Sequence, residues 1–520
     1  CGGRPETLSL DSAAFEKAGE TFESWFEIPQ PGQRSAALLF LTSFTGCAIL
    51  KPLSTKERDF PVSATAQPHN NTGEAMDRRA FLKMTFSLVL PMAVQNLINT
   101  AITSADVMML GKVGETALSA SSLAGQVQFI MNLIFFGLTS GAAVLTAQYW
   151  GKQDIRTIEK VLGISLRFSF LVASVFTAAA LLFPRYLMMM FSSEEPVIAE
   201  GVKYLRIIAV SYIPVSFSMV FLNLMRSVER VVISTMVYLF GLFCNVGLNA
   251  VFIFGLLGFP AMGVSGAALA TLITRLLELV IVLVYSQKNP VVRFRIKDIF
   301  VRDKLLFKDF LQFSIPVTIN EMMWGLGTSV NAMIIGHMGS TVVAANSVAQ
   351  VIRQLAMVVA FGLANATAIV IGKAIGENKY EAAKIYARRF LKLTLLFGAC
   401  GSALILAIGP VAGSFLTLSG DAQGYLNMMM LVMSYFSLAQ GYNTTMIVGI
   451  FRAGGDTKFG LFCDVGSLWC CSILFGYLCA FVFRLPVTVV YMVLMSDEII
   501  KIPLTTWRYK SKLWLRNVTR

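Results

Sequence analysis

From about Phe86 onward the chain is a succession of apolar runs, each long enough to cross a bilayer and each closed by a short polar or glycine-bearing interval. The runs predict twelve helices. Six fall near 86–110, 118–148, 161–183, 202–226, 232–256 and 264–286. Six more fall near 311–335, 343–373, 387–410, 425–449, 459–482 and 485–503. The second set copies the first at an offset of 225 residues: Pro91 falls on Pro316, Gly111 on Gly336, Gly114 on Gly339, Gly137-Leu138 on Gly362-Leu363 and Gly151 on Gly376. Beyond residue 160 the offset is 226, pairing Pro184 with Pro410 and Arg226 with Arg452. A period this long is one half-protein duplicated and fused, not a solenoid. Six is an even number, so both copies enter from the same side, a parallel repeat about an axis along the membrane normal. The expected fold is an all-α polytopic membrane protein of two six-helix lobes, with the working site between them.

Composition agrees: 56% of residues are hydrophobic, 14% are charged and mean hydropathy is +0.67. A net charge of +13 raises nucleic acid as a partner, but its placement removes it. Lys and Arg crowd alternate loops, among them Lys152 to Lys160, Arg226 and Arg230, Lys288 to Lys308, Lys373 to Arg389, Arg452 and Lys458, and Arg508 to Arg516. Basic loops stay in the cytoplasm, which puts both termini there. The resulting division is an N-terminal extension 1–76, an N-lobe 77–287, a cytoplasmic linker 288–309, a C-lobe 310–506 and a basic tail 507–520. Eight cysteines show no metal-type spacing and there are two histidines, so metal or triad chemistry is not expected. Walker, dinucleotide and nucleophile-elbow motifs are absent, as is a potassium-filter sequence. An enzyme is not expected, and any energy must come from an ion gradient or a partner.

Three acids stand out within the predicted spans: Asp106, Glu321 and Asp464. A mid-membrane charge costs roughly 2.5–3.5 kcal/mol even on lenient scales, so each needs a reason, and cation or proton binding is one. Glu321 follows Pro316, whose missing N–H lets the helix bend and free carbonyls for an ion. The repeat mates are amides: Glu321 matches Asn96, Asp106 matches Asn331 and Asp464 matches Asn245. Against binding stand plainer roles: a neutral or helix-bonded carboxyl, an interfacial position for Asp106, and helix-dipole stabilisation for Asp464. Met131, Phe135 and Phe136, with Met322, Met323 and Trp324, form a stripe that could line a pocket for flat apolar molecules, or simply pack. Small residues such as Gly137, Gly141 and Gly362 permit close helix approach.

Several segments together carry a family likeness. Pro91, Asn99, Asp106 and Gly111-Lys112-Val113-Gly114 resemble the first helix of the multidrug and toxic compound extrusion (MATE) transporters. Gly336-His337-Met338-Gly339-Ser340-Thr341 with Ala344-Ala345-Asn346 resembles the opening of that family's second lobe. Leu224-Met225-Arg226 and Phe451 to Thr457 are similar to its paired Leu-Arg-Ala-x-Gly-Asp-Thr loops, and Phe259 to Ala268 to its turn between helices five and six. The likeness covers about Asp77 to Arg520 and is nearer the DinF-like prokaryotic branch than the NorM branch.

The resemblance implies two lobes in a V around a cleft, antiporting organic cations against H⁺ or Na⁺ across a prokaryotic inner membrane, as a monomer needing lipid and no cofactor beyond the coupling ion. It carries Asp106 over as the family's first-helix acid, implicated in protonation in proton-coupled members. Glu321 lies one turn before the seventh-helix acid, whose place Trp324 takes. The tenth-helix acid of sodium-coupled members is replaced near Gln440, and a fifth-helix acid is Asn245, which favours H⁺. Asp106, Glu321 and Asp464 are therefore the candidate ion-binding residues. Asn96, Asn99, Asn245, Asn320, Met323, Trp324, Asn331 and Gln440 are the candidates for the substrate cleft. The alternatives are a lipid-linked saccharide flippase, which needs a strongly basic cavity, and a channel or membrane scaffold.

The first 75 residues have no counterpart in the repeat. Ala36–Leu50 is apolar but short for a span, and the Thr45-Gly46-Cys47 that closes it only faintly resembles a cleavage site. Thr72-Gly73-Glu74 can be encoded with a ribosome-binding sequence upstream of Met76, so a natural start at Met76 is the expectation. Peptide mapping of the protein from its native source is expected to begin at Met76; peptides from before it would refute that start.

Overall fold

The computed structural model describes the backbone of residues 75–289, 291–415 and 420–520, and their side chains except at 410–415. The extension before residue 75 lies outside the described residues. Those described are helical, with no strand. The first half holds α1 (Arg78–Gly111), α2 (Glu115–Gly151), α3 (Ile155–Leu182), α4 (Glu195–Ser227), α5 (Val231–Phe254) and α6 (Val264–Lys288). The second holds α7 (Lys304–Gly336), α8 (Ser340–Gly376), α9 (Tyr380–Phe415), α10 (Gly420–Thr444, extended by a π-helical turn Thr445–Phe451) and α11 (Thr457–Val482). The twelfth span departs from the continuous 485–503 expected. It is two helices, α12 (Val487–Leu494) and α13 (Asp497–Lys510). Ser496 closes the first by donating to the Val493 carbonyl at 2.7 Å, and Asp497 and Glu498 fill the first turn of the second, where the helix dipole favours them.

The duplication is visible in backbone geometry. Helices α2 and α8 are each 37 residues long and follow Gly114 and Gly339, at φ 146° and 119°. Asp77 and Asp303 cap α1 and α7 through the backbone N–H groups of Arg79 and Leu306. Four turns at the basic-loop end share one C-cap, with a left-handed residue at Gln153, Glu229, Asn378 and Gly455. In each the next N–H reaches back to satisfy an orphan carbonyl, as Asp154 does to Tyr149 and Lys379 to Ala374. Three of these four residues are not glycine, so the motif is hidden from a search for glycine.

The starts of α1 and α7 are exchanged between lobes. Phe81 and Leu88 of α1 pack among α8 and α9, with the Phe81 ring stacked 5.6 Å from Tyr386 and edge-on to Phe390 at 5.0 Å. Their repeat mates Leu306 and Phe313, with Phe310, pack among α2, α3 and α4, where Phe310 stacks on Phe168 at 5.5 Å. Each lobe core is thus completed by the opening turns of the other half.

Between the exchanged segments runs a seam of near backbone contact. A Cβ on Gly137 would sit 2.3 Å from Thr318 Cα, and one on Gly141 2.3 Å from Ser314 Cα. At the basic end a Cβ on Gly151 would meet the Lys373 carbonyl at 2.1 Å, and one on Gly376 the Gln148 carbonyl at 1.9 Å. The expected close approach by small residues is therefore an approach of one lobe to the other. The outer half of α2 instead buries Ala117, Ala124, Val127 and Met131 in clusters of its own lobe, and nothing lies within 4 Å of a Cβ at Gly114 or Gly339. The lobes are joined at the basic end. Residues 511–520 lie across that join: Trp514 is buried in the second-lobe cluster, while Val518 packs on the first-lobe cluster and donates to Gln148 Oε1 at 2.7 Å.

A methyl group suffices to test the seam. Gly141→Ala should lower stability by about 1–3 kcal/mol, the usual cost of overpacking, read as the unfolding midpoint in detergent. Gly247→Ala, at an exposed helix site with open space around it, should leave the midpoint unchanged or raise it.

Candidate functional site

The described spans hold more charge than the three acids read from sequence. Asp106, Glu321 and Asp464 are half-buried, whereas Glu278, Asp497 and Glu498 are buried carboxylates, 3%, 5% and 6% exposed. Arg452, counted with the basic loops, is buried as well, because the π-helical turn carries α10 on through Phe451 and leaves it inside the bundle.

Glu321 on α7 is bound by that arginine: its Oε1 accepts from Arg452 Nη2 at 2.7 Å. The same guanidinium donates through Nη1 to Ser140 Oγ of α2 at 2.9 Å. A carboxylate of the second half is thereby tied, through one arginine, across the seam to the first. A second cluster surrounds Lys501 of α13. Its Nζ lies 3.2 Å from Asp464 Oδ1, 3.0 Å from Asp497 Oδ2 and 3.0 Å from Glu498 Oε1. Asn320 Nδ2 donates to Asp464 Oδ2 at 3.0 Å and joins α7 to the cluster; Asn443 Nδ2 donates to Glu498 Oε2 at 2.8 Å. Three carboxylates thus share one ammonium.

Asp106 has different company. Its Oδ1 accepts from Asn249 Nδ2, which also donates to Asn245 Oδ1 at 3.1 Å, and Asn245 Nδ2 donates to Thr271 Oγ1 at 3.2 Å. No cation stands within ion-pair distance of Asp106 among the described residues; the nearby Arg275 is held by Glu278 at 2.8 Å. The three acids thus fall in three settings, and Asp464 and Glu321 reach each other only through neighbouring Asn320.

The amide candidates divide the same way. Asn245, Asn320 and Gln440 are buried and bonded inside their own lobes, Gln440 accepting from Arg353 Nη1 at 2.8 Å. Asn96, Met323 and Asn331 are half-buried, and Asn99 and Trp324 are exposed. The Asn331 Oδ1, mate of the Asp106 carboxyl, is buried without a hydrogen-bond partner among the described residues. Met131 and Phe135 leave the pocket stripe: both are wholly buried in a cluster with α3, α4 and α6, where a ring on an inward α2 face fills core space.

Phe136 does line a cavity, of about 50 Å³, on the seam. Around it stand repeat mates from both halves: Ser140 and Asn365, Ala143 and Ala368, Val144 and Ile369, Arg226 and Arg452. It therefore sits on the axis that relates the lobes. Sequence reasoning missed Lys501, Glu278 and this pairing. The signal available was Lys501 three and four residues after two acids inside an apolar run, the spacing that puts all three on one helix face.

Twelve spans in two repeated lobes joined at one end, with ionisable groups buried at mid-helix and no catalytic motif, define a polytopic membrane transporter. The MatE family model matches residues 91–251 and again 316–478, more than half of the chain and once per lobe, and the chain belongs to that family of transporters. It is similar to the uncharacterized transporter YisQ of Bacillus subtilis, 22% identical over 83% of this chain and 94% of that protein. It is also similar to a probable multidrug resistance protein NorM of Rhizobium meliloti, 27% identical over 77% of this chain and 86% of that one. Among solved structures, an outward-facing multidrug resistance MATE family transporter superposes with TM-score 0.74 at 20% identity, over 84% of this chain and 98% of that one. A Pyrococcus furiosus transporter of the MOP superfamily, described as having a binding pocket of reverse polarity, superposes with TM-score 0.75 at 20% identity, over 84% and 98%.

Breaking one side of a buried ion pair strands the other charge, at roughly 3–5 kcal/mol. Glu321→Gln and Arg452→Gln should each lower stability on that scale, and the double variant by less than the sum of the two. A double-mutant cycle of unfolding midpoints in detergent checks this; additive losses would mean the pair is not coupled.

Proposed function

We propose that the chain is an ion-coupled antiporter that exports organic cations and drugs, with H⁺ as the coupling ion, by alternating access of the two lobes. Names given to relatives support the substrate class: several are described as probable multidrug resistance proteins. The location proposed is a prokaryotic cytoplasmic membrane, with the basic loops and both termini inside. The seam then closes the cytoplasmic side and the cleft faces outward, in keeping with the outward-facing structure it resembles.

The observation that carries the coupling is the surplus of carboxylate over cation within the spans. Lys501 serves three acids, and Asp106 has only an amide donor. Uncompensated charge in the membrane is expensive, so these groups favour whichever cation neutralises them. An amide N–H pointing at Asp106 suits a carboxyl that gains and loses a proton better than one that ligates Na⁺ through oxygens. The proposed cycle has substrate cation and proton compete for the carboxylates, each excluding the other. Neutralising Glu321 would free Arg452 from its acid and change its hold on Ser140, which links ion binding to the seam. A lipid-linked saccharide fits less well, since its pyrophosphate calls for a strongly basic cavity and the spans carry the acids Asp106, Glu321 and Asp464 instead.

Ethidium efflux from cells should fall at least about tenfold, or about 1.4 kcal/mol, in Asp106→Asn or Asp464→Asn, and measurably in Glu321→Gln. Full activity in all three would end the carboxylate-coupling reading. In proteoliposomes, a pH gradient imposed alone should drive saturable flux and a Na⁺ gradient alone should not; the reverse result assigns Na⁺.

A further inference from the structure

The cavity on the lobe axis holds an imbalance that the transport reading does not use. Two arginines related by the repeat line it, Arg226 from α4 and Arg452 beyond α10. In the second half the arginine has its carboxylate, Glu321, at 2.7 Å. In the first half the position matching Glu321 is Asn96, and Arg226 has no acid within ion-pair distance among the described residues. Its hydrogen bond is to the Asn223 side-chain oxygen. Other acid-free arginines in the fold are better served. Arg167 donates to the Ile299 and Val301 carbonyls, and Arg353 donates to Gln350 and Gln440 and lies over the Phe436 ring. A guanidinium keeps its charge and presents five donors, so Arg226 with one amide oxygen leaves both charge and donors facing the cavity.

We infer that this cavity is a binding site for a small monovalent inorganic anion of the chloride class, held between Arg226 and Arg452 on the lobe axis. Its volume of about 50 Å³ admits a few water-sized species. Ser140 Oγ, which accepts from Arg452 and keeps its own hydrogen, and the second amide hydrogen of Asn365, whose first goes to the Phe361 carbonyl, supply donors around it, and Ala143 and Ala368 leave the space. The anion replaces, at the axis, the carboxylate that the first half lacks. Since Arg226 and Arg452 come from different lobes and converge only while the basic end is closed, the anion stabilises that closed seam. The site is independent of which cation drives transport.

Thermal unfolding of the full chain in detergent tests this, with chloride replaced by gluconate at constant ionic strength. Wild type should show a saturable rise of several degrees with chloride, and bromide should act like chloride, as linkage requires for a ligand of the folded state alone. Arg226→Gln should abolish the rise. Asn223→Asp, which sets a carboxylate where Arg226 already bonds at the expense of the Nδ2 bond to the Met219 carbonyl, should be flat on chloride titration. Because Asn223→Asp changes no volume, it decides the matter if Arg226→Gln does not fold. A wild-type midpoint indifferent to chloride, or an equal chloride dependence in wild type and Asn223→Asp, overturns the site. The readout is stability, so failure of drug export or of proton coupling does not bear on it.

Discussion

Backbone-to-backbone contact between the lobes at the basic end is the constraint on which the rest of the molecule depends. Where Gly137 and Gly141 of α2 press on Thr318 and Ser314 of α7, no side chain intervenes, so the two halves meet at the shortest distance helices allow. That closeness puts Arg452 within reach of Ser140 across the join and brings repeat-related side chains face to face on the axis. At these glycines the contact is van der Waals packing and a few polar bonds, while Phe81 and Phe310 interlock the halves through larger side chains.

The exchanged ends of α1 and α7 work with that seam. Phe81 anchors α1 in the core of the second half and Phe310 anchors α7 in the core of the first. Each of these helices therefore has one end fixed to one lobe while its other end belongs to its own, and a relative movement of the lobes must be taken up along them. Glu321 and Asp106 lie on these two helices, past the proline of each. Both acids therefore stand on the two elements that bridge the halves.

The copied scaffold carries chemistry that is not copied. The second half has acid, arginine and lysine clusters and π-helical turns at Thr445–Phe451 and Gly466–Ile473; the matching stretches of the first half are regular and hold amides. The belonging of this chain to the MatE family fits that division, since the family model matches each lobe separately.

Read alone, the sequence determined the membrane setting, the duplication and nearly all the spans, because length, apolarity and a fixed offset are properties of the chain itself. It marked Asp106, Glu321 and Asp464 because a lone acid in an apolar run is visible without coordinates. What it could not supply was company. Arg452 read as a loop residue because a π-helical extension leaves no trace in hydropathy, and Lys501 went unmarked although Asp497 and Glu498 stand four and three residues before it; its tie to Asp464, far off along the chain, is visible only in the packing. Whether a buried acid is bare, paired or clustered depends on which helices are neighbours, and helix neighbours in a membrane are chosen by the fit of small residues across the whole fold. Periodicity fixed the helices; only their packing decided which charges meet.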